Sequence, residues 1–246
     1  MRAKHGKTSK MALRVLSTAT FLTMVASCAA PVFADNAGIA LYGTYYVDEG
    51  SISVEVKDGN HYVNGELDTD GWVIIKNSRD ETKTGPVDNT VTINTDKGNT
   101  ADITLDNVNI DASKKDEAAV TVKGDGTTNI ELNGNNTLKS GEGYSSGHAG
   151  LEKSTADGSG TLIIKDDKND DGTVKSDEQK KQETEEGTGA SLTANGANDG
   201  AGIGAGTDGR NSTSNIEITG GKITAIGSGS GAGIGGSKSS SATGII

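Results

Sequence analysis

The sequence predicts an all-β protein: a solenoid of stacked β coils with an N-terminal β cap. Three observations predict it. Short segments alternate apolar with polar residues, the connections between them are rich in Gly, Asn, Asp and Ser, and a glycine-rich signature returns at a fixed interval. Alternation with period two marks strands with one buried face. The turn residues tolerate left-handed backbone angles and suit tight corners. Repetition at a fixed period marks a solenoid, whose coils bury their apolar faces only by stacking on their neighbours.

The first segment of the 246-residue chain stands apart from this pattern. Arg2, Lys4, Lys7, Lys10 and Arg14 precede the mostly apolar run 15–30, and Val32-Phe33-Ala34 offers a small-residue cleavage site, so residues 1–34 read as a secretory signal peptide. Val25-Ala26-Ser27-Cys28 also fits a lipoprotein box, with Cys28 as the lipidated residue. The expected location is therefore secreted or on the outer cell surface. Without residues 1–34 the chain loses five basic residues and no acidic ones, and its formal net charge moves from −11 to −16. So acidic a chain repels nucleic acid and anionic lipid. Cys28 is the single cysteine, which leaves burial, backbone hydrogen bonds or metal to hold the fold. Beyond the signal, no segment reaches the ~18 consecutive apolar residues of a transmembrane helix.

Residues 35–89 are expected to form the N-terminal β segment or cap. They hold an alternating strand at 51–56 and most of the aromatics: Tyr42, Tyr45, Tyr46, Tyr62 and Trp72. A solenoid needs cover on its first coil, and rings supply it. Exposed rings are also platforms for sugar faces, which makes Tyr62 and Trp72 candidate carbohydrate-binding residues.

From Thr90 onward strands are expected at 90–94, 102–110, 119–122, 129–132, 161–164, 191–194, 215–218 and 222–225. Residues 192–204 align with 223–235 without a gap, a period of 31, and Ala149-Gly150-Leu151 is a third, weaker copy. Gly150 lies 52 residues before Gly202, a surplus of 21 over the period; the stretch from Ile164 to Leu192 supplies it, spanning 28 residues where Ile218 to Ile223 spans 5. An acidic insertion at about 166–187 is the result, with 176–186 its one run of helical character. At the corners, Gly202 and Gly233 are expected to let backbones approach closely, while Leu151, Ile203 and Ile234 point inward as an aliphatic stack.

These units resemble the right-handed parallel β-helix repeats of bacterial cell-surface proteins that carry carbohydrate-binding domains with "GAGIGG" signatures, and the resemblance implies that the solenoid is a right-handed, single-stranded parallel β-helix. The resemblance covers residues 90–246. It implies a non-enzymatic carbohydrate-binding or adhesive module whose partner is a polysaccharide or a host or matrix glycan. The chain departs from the repeats by its insertion, and by stopping at Gly244-Ile245-Ile246 about where a further strand would begin, as a fragment of a longer protein would.

Two other motifs carry chemistry. Gly204-x-Gly206-x-x-Gly209 and Gly231-x-Gly233-x-x-Gly236 match a dinucleotide fingerprint, but neither leads into a helix whose N-terminus could face a pyrophosphate. Residues 167–178 match a calcium loop in full: Asp167, Asn169 and Asp171 at positions 1, 3 and 5, Gly172 at the turn, Thr173 at 7 and Glu178 at 12. Ca²⁺ takes six to eight oxygens, roughly, and this spacing can fold them around one ion. Lys175 at position 9 and a strand, rather than a helix, leading in are departures, and an acidic loop can also be simply solvated. No catalytic constellation emerges: His61 and His148 are isolated, and Arg79 and Arg210 are the only arginines beyond the signal. A Ca²⁺-dependent polysaccharide lyase or hydrolase, and a passive stalk, are the competing classes.

Overall fold

In the computed structural model, which describes residues 43–141, 146–169, 173–207, 212–238 and 240–245, the alternating segments become strands of three sheets visited in the same order on successive coils. Residues 1–34, expected as the export signal, with Cys28, and Tyr42, Tyr144, Asp171, Gly172, Gly209 and Arg210, lie outside the described residues.

The first coil gives β1 (Thr44–Tyr46) to sheet 1 and β2 (Ile52–Lys57) to sheet 3, and is followed by the antiparallel hairpin of β3 (Asn60–Val63) and β4 (Glu66–Asp68). The second gives β5 (Val73–Lys76) to sheet 1 and β6 (Val91–Thr95) to sheet 3. Later coils visit all three sheets. They are β7 (Thr100–Asp106), β8 (Asn109–Asp111) and β9 (Val120–Lys123), then β10 (Thr127–Asn133), β11 (Asn135–Lys139) and β12 (Leu151–Lys153). The fifth has β13 (Thr161–Lys165), the helix α1 (Asp177–Glu186), β14 (Ser191–Asn195) and β15 (Ile203–Gly204). The sixth has β16 (Thr213–Ile218), β17 (Lys222–Ile226) and β18 (Ile234–Gly235), and β19 (Ala242–Ile245) opens the next. This is a parallel β-helix of about six turns.

Stacking places like residues over like. In sheet 1, Val73, Ile103, Ile130, Ile164 and Ile218 follow one another in register. In sheet 3, Ile52, Val91, Val120, Leu151, Ile203 and Ile234 do the same. All but the last member of each ladder are buried. Each such side chain contributes about 1.5–3 kcal/mol of transfer free energy, so the ladders are the main favourable term in a chain without disulfides. Ile234 departs from the expected inward stack. It keeps the register but is 37% exposed, because among the described residues no strand covers β18 on its outer side.

The glycine signature closes the corner between sheets 2 and 3. A Cβ at Gly150 would sit 2.6 Å from the Asn195 amide nitrogen and 2.9 Å from the Leu138 carbonyl oxygen, and one at Gly202 would run into the Ile226 amide and the Gly233 carbonyl. Among the described residues no helix follows β15 or β18, so the structure gives the fingerprint no pyrophosphate-binding helix.

The N-terminal region differs from the expected cap at 35–89. Among the described residues parallel pairing begins at β1, so two coils already precede Thr90; they lack the glycine signature that made later coils visible in sequence. Among the described residues the covering element is the β3–β4 hairpin, which extends sheet 3 and is tied to sheet 1 where Tyr45 Oη donates to Asp68 Oδ2 at 2.8 Å. The segment expected as one strand at 102–110 is two strands, broken at Asn107, whose φ is 53°. The insertion occupies 166–190 between β13 and β14.

Candidate functional site

The corner between sheets 1 and 2 is built from asparagine. Asn77 Oδ1 accepts from the Asn109 amide at 3.0 Å, Asn107 Oδ1 from Asn135 at 3.0 Å, and Asn136 Oδ1 from Val108 at 2.9 Å. These side chains satisfy backbone groups that the change of sheet leaves without a ladder partner.

Two excursions rise beside this corner. One follows β5: Ser78 Oγ donates to Asp48 Oδ2 at 2.6 Å, and Arg79 pairs with Glu49 at 3.2 Å while lying 4.5 Å from the Tyr46 ring. The other is the insertion, whose helix buries no residue and is held by polar ties instead. Lys175 Nζ donates to Asp166 Oδ1 at 2.6 Å and to Glu183 Oε2 at 2.8 Å, and the Ala190 amide donates to Asp166 Oδ2 at 3.0 Å. Burial disfavours the Lys175 charge, yet the two carboxylates outweigh it and hold its pKa above the ordinary lysine value. Ser176 and Gln179 form a capping box, and Gly187 ends the helix in the left-handed region at φ 66°.

Between the excursions lies a cleft of about 970 Å³. Its floor is the corner of three successive coils: Lys76 and Asn77, Asp106 and Asn107, and residues 133–135. One wall carries Glu81, Lys83 and Thr84; the other carries Asn169, Lys175, Glu183 and residues 188–190. Among the described residues no aromatic ring lines it. Stacked coils repeat at about 4.8 Å, so the floor offers polar groups at that interval along the solenoid axis. Lys76 pairs with Asp106 at 2.9 Å; burial opposes its charge and the carboxylate prevails, so its pKa is raised.

The insertion also folds back over the outer face of sheet 1. Glu131, an outward position of β10, is only 4% exposed because the amides of Asp167 and Lys168 donate to its Oε1 at 2.9 and 2.8 Å. Its Oε2 and the Oδ1 of Asp167 are buried without a hydrogen-bond donor. Burial first, and the Asp167 carboxyl second, push Glu131 up to about 7. Asp167 stays below its ordinary value: burial works to raise it, but Glu131 and Lys165, 3.5 Å away, prevail.

Among the described residues, the sequence-predicted site residues fall on separate elements: the β3 hairpin, the start of β5 and the insertion. Tyr62 lies in β3 with Lys57 5.0 Å from its ring, and Trp72 lies before β5 with Lys168 5.4 Å from its ring. Of the calcium-loop residues, Asp167 faces Glu131 and Lys165. Asn169 donates to Thr173 Oγ1 at 3.0 Å and accepts from Gln179 at 3.2 Å, and Glu178 is exposed at the start of α1. Among the described residues no three His, Cys, Asp or Glu side chains gather as a metal cage. His148, isolated in sequence, stands between two carboxylates: Nδ1 is 3.1 Å from Glu152 Oε2 and Nε2 is 3.1 Å from Asp116 Oδ1. The Glu152 hydrogen bond, against burial, raises its pKa. Only the spacing of His148 and Glu152, four positions apart, was visible in sequence; Asp116 comes from the preceding coil.

Fold and site together define a β-solenoid with a polar side cleft roofed by an insertion. The chain matches no family model, no curated protein and no solved structure. Among the described residues no helix is long and apolar enough to cross a membrane.

Proposed function

We propose that the protein is a non-enzymatic carbohydrate-binding module, exported by its N-terminal signal and displayed at the cell surface, and that the cleft is its binding site. The observation that carries this reading is the cleft itself: about 970 Å³, floored by three coils and lined by amides, hydroxyls and ion pairs. A linear polysaccharide lying along the solenoid axis meets the same corner three times. Tyr62 and Trp72 then serve the cap and the seating of the insertion rather than the cleft, each beneath a lysine. A glycan array followed by a reducing-end assay tests the reading. Binding without turnover supports it, turnover supports a lyase or hydrolase, and the absence of both leaves a stalk.

Ca²⁺ at the loop 167–178 is a separate proposal that the sequence motif supports. Coordination would have to draw the Asp167 carboxylate from Lys165 and the Asn169 side-chain oxygen from Gln179. Calorimetry with Ca²⁺ decides it, and a silent titration removes the metal.

A further inference from the structure

We infer that the cleft takes an uncharged glycan, read by unspent amides and hydroxyls; this rests on the carbohydrate reading above. The ionic groups of the cleft are balanced and mostly spent. Lys76 is answered by Asp106 at 2.9 Å, and Lys175 by Asp166 and Glu183 at 2.6 and 2.8 Å. Among the described residues what remains is one cation, Lys83, and one anion, Glu81, on the same wall. A uronate or sulfated sugar would gain one ammonium while meeting Glu81 and the field of a chain of formal net charge −11. An amino sugar would gain Glu81 and meet Lys83. Opening the Lys175 pair to serve either would strand Asp166, whose side chain is 5% exposed.

The groups that are free are neutral. Among the described residues the side chains of Thr84, Asn133 and Thr188 make no hydrogen bond, and Asn135 uses only its Oδ1, which accepts from Ser191 Oγ at 2.8 Å. Sugar hydroxyls both donate and accept, so they can satisfy amide and hydroxyl groups without taking an ion out of water. With no ring to stack on, selection falls on hydroxyl positions rather than on the apolar face of a sugar.

The test is an array of neutral hexose oligosaccharides (glucan, mannan and galactan), polygalacturonate and chitosan oligomers, read with the full chain and with Asn135→Ala/Thr188→Ala. The expected result is binding of a neutral oligosaccharide that holds from about 50 to about 500 mM salt, where ionic contacts are screened. The double variant, intact by circular dichroism, should bind roughly ten-fold more weakly. Salt-sensitive binding of polygalacturonate or chitosan overturns the uncharged ligand while leaving the carbohydrate function standing. Neutral binding that the double variant retains overturns the placement in the cleft. Failure of every glycan to bind overturns the function on which the inference rests.

Discussion

Lys175 is a cation that the insertion supplies for itself. Its ammonium joins the root of the insertion, Asp166, to the helix, Glu183, with side chains 6% and 29% exposed at the two ends of the second contact. Replacing it by Met leaves the Asp166 carboxylate buried without its counter-charge, a loss of about 3 kcal/mol when such a pair is truncated. Because α1 buries nothing in the solenoid, that loss falls on the insertion alone. Lys175→Met is expected to speed amide exchange across 177–186 while the exchange of β7 and β10 stays slow. Two other residues set a pH dependence. Glu131 rises from its ordinary 4.5 to about 7 in the fold, so the folded state holds a proton that the unfolded state has released. That contribution is complete below about 4.5 and is lost as the pH climbs to about 7. His148, also raised, contributes stability that is complete below its ordinary 6.5 and fades above it. The melting temperature should therefore drop by a few degrees from about pH 5 to about pH 8. Glu131→Gln should flatten the acidic part of that slope and leave the part due to His148; an unchanged profile would count against the Glu131 assignment.

Corners and hairpins, rather than strands, distinguish the elements of this fold. Gly202 has room for no side chain between the Ile226 amide and the Gly233 carbonyl, so Gly202→Val must push two coils apart. Overpacking of this kind costs about 3 kcal/mol, or about 10 °C in melting temperature for a chain of this size. Gly85→Ala, where an added Cβ meets nothing within 4 Å, should leave it unchanged. A Gly202→Val protein that melted like the parent would show that the corner is not close-packed. Eight strand segments from Thr90 onward were legible in sequence because one buried face imposes alternation, and the register of Leu151, Ile203 and Ile234 because the signature repeats, but β11, with Leu138 its one large apolar residue, and the short β12, β15, β18 and β19 were not expected as strands. The coils of β1 and β5 were not, since Val73-Ile74-Ile75 alternates no polar residue with its apolar ones and the signature is missing there. The helix showed only as a polar run; its capping box, Ser176 with Gln179, was the readable signal. The cleft was invisible because its floor gathers Asn77, Asn107 and Asn135 from three coils, and no local pattern records what stacking brings together.

At the scale of the whole molecule the insertion is independent of the coil it leaves. β13 and β14 take up the same register with β16 and β17, which are joined by a tight turn, as they do with β10 and β11. Replacing residues 167–188 by a short Gly-containing turn like that at 219–221 should therefore keep the β-sheet dichroism and the cooperative melt, because a solenoid coil is held by its neighbours. The same deletion removes one wall of the cleft, and glycan binding should fall to background. Retained binding would place the ligand elsewhere. The chain has a single tryptophan, and Trp72 lies on the outside of sheet 1 beneath Lys168 of the insertion, not in the core. Its fluorescence is accordingly a built-in optical reporter of whether the roof is seated, one that should respond to Lys175→Met while the β-sheet part of the far-ultraviolet spectrum, which reports the stacked coils, is kept.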